Sequence, residues 1–279
     1  MTTLRHGDRG QDVRVLQQRL NQTGAGLYVD GHFGDATEIA VRNYQSKIGL
    51  VSDGIAGPKT LAALAGADCS CLLRHSTLAT AAARLGIELA AILAVNEVES
   101  LGSGFLDNGK PKILYERHIM YRQLAKPRHS DDNVAELKAH AVELAASQPN
   151  LVNPRPGGYV GGTAEHQRLA NAKLIDDTCA LESASWGGFQ IMGYHAVRLG
   201  YASVQEFATR MAKDENEQFE AFVRFLEADP ALLKALRAKK WATFARGYNG
   251  PDYERNLYDT KLQRAYQRHA AGCSMPEAA

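Results

Sequence analysis

The chain has 279 residues, 45% of them hydrophobic, and its 32 Lys and Arg stand against 31 Asp and Glu for a formal net charge of +1. That length holds one large domain, or a small one and a medium one each with its own core. The near-neutral balance, with no long run of either sign, excludes a nucleic-acid binder driven by bulk electrostatics. No stretch approaches the roughly 18 apolar residues of a membrane helix, and Met1-Thr2-Thr3-Leu4-Arg5-His6 lacks the apolar region of a secretion signal. The expectation is a protein that begins in the cytoplasm, with no stable membrane association.

In chain order, Val13, Leu16 and Leu20 form a first helical stripe, and Val41, Tyr44 and Ile48 a second. Between them lies Asp30-Gly31-His32-Phe33-Gly34-Asp35-Ala36-Thr37, which returns as Asp53-Gly54-Ile55-Ala56-Gly57-Pro58-Lys59-Thr60. Both copies read Asp-Gly-x-x-Gly-x-x-Thr. Glycine permits tight turns with positive φ and Pro58 suits a first helical turn, so both read as loops that launch helices. Three helices joined by two matched loops is the build predicted for 1–66. Asp30, His32 and Asp53 could hydrogen-bond a sugar or a peptide, although loop aspartates more often close their own turns. Residues 67–76 read as a short, partly polar linker.

From 77 to 273 the pattern predicts helices over 78–85, 88–100, 133–148, 164–178, 204–229, 231–238 and 253–269, with a tail at 274–279. The Met and Phe residues of 204–229, with Met211, Phe222 and Phe225 on one face, read as core rather than as a cofactor pocket. Loops rich in aromatic residues, amides and glycine lie between: 114–118, 154–162, 185–193 and 248–251. Flat rings that stack on pyranose faces and amides that bond hydroxyl and N-acetyl groups suit a sugar cleft.

One helix carries the chemistry. Ile92, Val95 and Glu99 share a stripe, which sets a carboxyl among apolar neighbours. Burial disfavours its ionised form, raises its pKa and lets it act as a general acid near neutral pH. The alternative is a helix-end glutamate turned to solvent. Glu97, rotated about 200° round the helix, should point elsewhere. Cys69, Cys71, Cys179 and Cys273 read as free thiols, the histidines show no metal-ligand spacing, and no Gly-x-Ser-x-Gly elbow occurs. The glycines of 157–162 lack the strand-helix context of a dinucleotide fingerprint, so neither cofactor nor metal is expected. Glu182-Ser183 repeats the pairing of Glu99-Ser100, which keeps Glu182 as a candidate carboxylate.

Two resemblances add to this reading. Residues 4–64 resemble the small peptidoglycan-binding domain attached to many cell-wall hydrolases. The match runs through Gly10-x-Asp12-Val13-x-x-Leu16-Gln17-x-x-Leu20, both Asp-Gly loops and Tyr44-Gln45. Residues 78–262 resemble the lysozyme-like superfamily of soluble lytic transglycosylases and goose-type lysozymes, and more closely the N-acetylmuramidase domain of phage endolysins. The matching motifs are Val98-Glu99-Ser100, Ile113-Leu114-Tyr115-Glu116-Arg117-His118, Gly158-Tyr159, Ser185-Trp186-Gly187, the Gly-Phe-Gln-Ile-Met of 188–192 and Tyr248-Asn249-Gly250-Pro251.

The resemblance implies a mainly all-α protein with a three-helix peptidoglycan-binding domain at 1–66 and a lysozyme-like catalytic domain at 77–273. It implies Glu99 as catalytic acid, Glu116 as second carboxylate, and Gln190, Tyr248 and Asn249 along the cleft, with Tyr115 and Trp186 as packing or stacking groups. The expected reaction is hydrolysis of the β-1,4 bond between N-acetylmuramic acid and N-acetylglucosamine in peptidoglycan. A lytic transglycosylase and a non-catalytic wall-binding protein are the competing readings. By the same analogy the protein is a monomer made in the host cytoplasm that reaches the wall after a holin opens the membrane.

Overall fold

The structure is a computed structural model that describes residues 2–100 and 103–273, with side chains through 271. The tail predicted at 274–279 and the Cys273 thiol lie outside the described residues. Fourteen α-helices occur among them: α1 (Gln11–Gln22), α2 (Asp35–Lys47), α3 (Pro58–Leu64), α4 (His75–Leu85), α5 (Leu89–Glu99), α6 (Arg117–Leu124), α7 (Val134–Ser147), α8 (Thr163–Lys173), α9 (Asp177–Glu182), α10 (Val204–Met211), α11 (Glu215–Glu227), α12 (Pro230–Arg237), α13 (Trp241–Asn249) and α14 (Tyr258–Cys273). Three short strands accompany them: β1 (Ile113–Tyr115), β2 (Ala184–Trp186) and β3 (Ile191–Met192). The chain divides into two compact units, one of Met1–Ser103 with Asp229–Ala279, the other of Gly104–Ala228.

In the first unit, α1 to α3 enclose a small core of Leu4, Val13, Leu16, Leu20, Phe33, Val41, Ala56 and Leu61. The repeated loops are built alike, each around one buried glutamine from the preceding helix. Gln17 Nε2 donates to Asp30 Oδ1 at 2.8 Å and lies 3.1 Å from both His32 O and Thr37 Oγ1, while its Oε1 accepts from Gly31 N at 2.9 Å. Gln45 Nε2 donates to Asp53 Oδ1 at 2.8 Å and lies 3.0 Å from both Ile55 O and Thr60 Oγ1, and its Oε1 accepts from Gly54 N at 3.0 Å. The glutamine supplies the donor and acceptor that a sharp turn otherwise leaves unpaired. Both turns pass through a glycine at positive φ, +76° at Gly31 and +73° at Gly54.

Helix α5 is the centre of the rest of this unit. Helices α4 and α14 pack against it, α13 against α14, and α12 against α13. Ala90 to Val95 are all buried, so the helix is enclosed on every side over its first turns rather than along one stripe. Its near-continuous apolar sequence is the reason.

The second unit is organised on an antiparallel sheet in the order β1-β2-β3, with Ile113 opposite Trp186, Tyr115 opposite Ala184 and Ser185 opposite Met192. Two predicted helices are each interrupted. Asp176 accepts from Cys179 N at 2.6 Å and starts α9, and Asp214 accepts from Glu217 N at 2.9 Å and starts α11. Each aspartate caps a new helix N-terminus, which stabilises a break that apolar periodicity alone conceals. The expectation that 204–229 supplies core is met by Phe207, Met211, Phe219 and Phe222, with Phe189 stacked on Phe222 at 4.9 Å, whereas Phe225 of the predicted face is only half-buried, against His195. The turn between β2 and β3 is Gly187-Gly188 because buried Gln218 lies against it. Its Oε1 accepts from Gly188 N at 2.9 Å, and a Cβ on Gly187 would meet its Cδ at 2.5 Å.

Candidate active site

Helix α5 ends on Glu99, 8% exposed. Burial is the largest influence on this carboxyl and pushes its pKa up to about 7 from an ordinary 4.5. Two weaker influences pull the other way: the side-chain amide of Asn249, whose Nδ2 donates to Oε1 at 2.9 Å, and the charge of Lys261. Asn249 is the last residue of α13, where Gly250 at φ +84° turns the chain away. Tyr248 precedes it and stacks parallel on Phe244, with ring centroids 5.8 Å apart. Burial, then the negative charge of Glu99, raises the Tyr248 pKa well above its ordinary value and keeps the hydroxyl protonated. Tyr258 is raised by the same two causes in the same order.

Tyr248 and Asn249 therefore stand beside Glu99 as the motif implied. Tyr258 and Lys261 are neighbours that sequence reasoning missed. Both fall in the helix predicted over 253–269, and their separation of three residues, which puts them on one face, was the available signal. Glu97 points elsewhere as expected. It pairs with Arg268 and with His269 Nε2, the latter at 2.9 Å. Burial would raise its pKa, but His269 and Arg268 together hold it below the ordinary value.

In the second unit β1 delivers Glu116 to the start of α6. Its backbone N donates to Ser183 O at 2.8 Å, extending the β1–β2 pairing, and its carbonyl accepts from Ile119 N at 3.0 Å and Met120 N at 3.1 Å. Both peptide ends are thus held by regular structure. The side chain does not cap α6. Its Oε2 accepts from Tyr159 Oη at 2.8 Å and lies 3.1 Å from His118 Nδ1.

Other candidates fare differently. Tyr115 is fully buried, its hydroxyl donating to Leu151 O at 2.8 Å, and Trp186 is 5% exposed, edge-on to Phe207. Neither offers a ring face to a sugar, so of the two expected roles, packing and stacking, their burial favours packing. Gln190 is exposed at φ +51°. Its Oε1 accepts from Ser185 Oγ at 2.7 Å and its Nε2 donates to Gly187 O at 2.7 Å, bracing the β2–β3 turn. Glu182 holds Arg128 through both oxygens, at 2.6 and 3.1 Å, a fork-to-fork ion pair that occupies both of them.

Asp30 and Asp53 close their own turns, the second of the two roles open to them. Each uses Oδ1 within its own turn, accepting from the glutamine amide and from the backbone N of His32 or Ile55. His32 contributes its carbonyl to that network. Among the described residues no group of three or more His, Cys, Asp or Glu is placed to hold a metal ion.

The N-acetylmuramidase family profile matches residues 88–270, and that of a peptidoglycan binding domain matches residues 9–64. Among solved structures, the crystal structure of Burkholderia AP3 phage endolysin is similar over 98% of this chain and 100% of that one, with a TM-score of 0.89 and 52% identity. The zinc D-Ala-D-Ala carboxypeptidase of Streptomyces albus G is 52% identical over 61 residues, 21% of this chain and 24% of its own length. The N-acetylmuramoyl-L-alanine amidase CwlM of Mycobacterium tuberculosis is 53% identical over 57 residues, 20% of this chain and 14% of its own length. The chain thus spans a quarter or less of the length of these two curated relatives.

Proposed function

The chain belongs to the N-acetylmuramidase family, and from that premise we propose that it is an endolysin that hydrolyses the β-1,4 bond between N-acetylmuramic acid and N-acetylglucosamine in peptidoglycan. The observation that carries this is Glu99: a buried carboxyl with a pKa of about 7 that accepts from the Asn249 amide is half protonated near neutrality. It gives its proton to the glycosidic oxygen as the bond to the sugar breaks. Asn249 orients it, and protonated Tyr248 lends a polar hydroxyl beside it. Glu116 is the second carboxylate, which either activates water or attacks the anomeric carbon; Gln190 is a cleft-lining amide.

Residues 1–66 form the wall-binding domain, 67–76 the linker and 77–273 the catalytic domain in this reading. The match to a peptidoglycan binding domain at 9–64 supports the first assignment. Among the described residues no helix is long and apolar enough to cross a membrane. The chain acts as a monomer on the wall from the periplasmic side, after leaving the host cytoplasm through a membrane opened by a holin.

Mass spectrometry of digested peptidoglycan, with wild type and Glu99→Gln side by side, tests the proposal. Reducing-end muramic acid is expected from wild type and is lost in the variant. Ends in 1,6-anhydromuramic acid would make the protein a lytic transglycosylase instead. The anomer of the new reducing end assigns the task of Glu116: inversion means activated water, retention means attack.

A further inference from the structure

Tyr159 lies in the run Gly157-Gly158-Tyr159-Val160-Gly161-Gly162, whose four glycines all have positive φ. Such a segment has little conformational preference of its own, yet it is tied down at two points, and both ties lead to residues beside Glu116. On one side Glu165, fully buried at the start of α8, accepts through Oε1 from Val160 N at 2.7 Å and Gly161 N at 3.0 Å. Through Oε2 it accepts from Tyr115 N at 3.1 Å and from Arg168 at 2.7 Å. One buried carboxylate thus fastens the loop to the residue before Glu116. On the other side Arg117, the residue after Glu116, donates to Pro156 O at 3.1 Å and Arg155 O at 3.2 Å. Its guanidinium lies against Gly158, where a Cβ would come within 3.1 Å of it.

A loop anchored on both neighbours of Glu116 presents one polar side-chain atom to Glu116 itself. We infer that Tyr159 is a positioning residue for Glu116: its hydroxyl fixes Oε2 and leaves Oε1 as the oxygen that works on the substrate. The inference rests on the reading of Glu116 as the second carboxylate. The hydroxyl donates to Oε2 at 2.8 Å, and His118 Nδ1 stands 3.1 Å from the same oxygen. Burial and the carboxylate raise the Tyr159 pKa, so the hydroxyl keeps the proton it donates. A hydrogen bond from a neutral donor to a charged acceptor is short and directional, and it holds the carboxylate in one orientation.

Tyr159→Phe removes only the hydroxyl and keeps the ring on a side chain that is 47% exposed. The test is kcat and KM on purified peptidoglycan for wild type, Tyr159→Phe, Glu116→Gln and the double variant, with melting temperatures to establish that each is folded. The expected result for Tyr159→Phe is a kcat lowered between about ten- and a hundredfold with KM nearly unchanged. The double variant should be no slower than Glu116→Gln alone, because the hydroxyl acts through that carboxylate. Wild-type kcat in Tyr159→Phe, or losses that multiply in the double variant, would overturn the role of Tyr159 while leaving Glu116 in place. Wild-type kcat in Glu116→Gln would instead remove the reading of Glu116 on which the inference rests.

Discussion

Glu97 and Glu99 are two residues apart on the same helix and both largely removed from solvent, yet they titrate in opposite directions. Glu97 faces Arg268 and His269 of α14, and its pKa falls. Glu99 faces an amide, two tyrosines and a more weakly felt lysine, and its pKa rises to about 7. The helix sets which way each points, and the partner helices decide what each becomes. A buried carboxylate with cations is a structural ion pair, whereas one with little beyond an amide is a stored proton.

The largest effect that would break this contrast is at Glu99. Glu99→Gln should lower kcat on the order of 10²–10⁴-fold, the usual contribution of a positioned general acid. In wild type, activity should fall as pH rises through about 7, because the acid then loses its proton. The same variant should be the more stable protein in base. Below pH 4.5 the carboxyl is protonated in both folded and unfolded chains and costs nothing. Above pH 7 it is ionised in both, and the folded state bears the whole shift of about 3 kcal/mol. Melting curves should therefore coincide at pH 4 and favour Glu99→Gln at pH 8; a variant less stable than wild type at pH 8 would contradict the dry setting.

Glu97→Gln should do the reverse. Removing one side of a partly buried ion pair should cost between about 1 and 3 kcal/mol at neutral pH, with turnover near wild type at temperatures where the variant is folded. A lowered carboxylate pKa contributes stability above its unfolded value that is lost as pH falls through the folded one. The gap between Glu97→Gln and wild type should therefore close in acid, as denaturant titrations at several pH values would reveal.

The duplicated loops sharpen the same lesson at smaller amplitude. Asp30 and Asp53 accept matching hydrogen bonds, but the Asp30 pKa is lowered, chiefly by the Gln17 amide, while the Asp53 pKa is raised, chiefly by burial and more weakly by the charge of Glu97. Gln17→Ala and Gln45→Ala remove equivalent networks. Asp30 is exposed and Asp53 only partly so, and water replaces the lost donor more readily at Asp30, so Gln45→Ala should cost more, by about 1 kcal/mol. Equal losses in chemical denaturation would mean that the second loop is as wet as the first. Smallest of all, Lys261→Met removes a charge that holds the Glu99 pKa down, so the alkaline limb of the pH–rate profile should move upward. A downward move would mean that Lys261 is not felt at Glu99.

Much of this was legible in order along the chain. The two Asp-Gly loops, the three small helices around them and the core role of Phe207, Met211, Phe219 and Phe222 follow from turn chemistry and from apolar spacing. Glu99 was legible only in part, since the stripe that nominated it belongs to a helix buried on all sides. The strands were not legible, because two or three residues are too few to display a period of two. Tyr159 was visible as a motif residue without a task, and Tyr115 and Trp186 were visible as rings without a surface.

What the sequence determined by itself was local: where turns must form, which helices are apolar enough to be enclosed, and that Glu97 and Glu99 leave α5 in different directions. Those properties depend on bonded geometry and on side chains a few residues apart. Only the tertiary structure decided that α14 brings Arg268 and His269 to Glu97, that α13 brings the Asn249 amide to Glu99, and that a glycine loop anchored beside Glu116 brings it a tyrosine hydroxyl. A carboxyl's charge at neutral pH depends on the solvent it has lost and the partners it has gained, and those partners come from residues more than forty positions away.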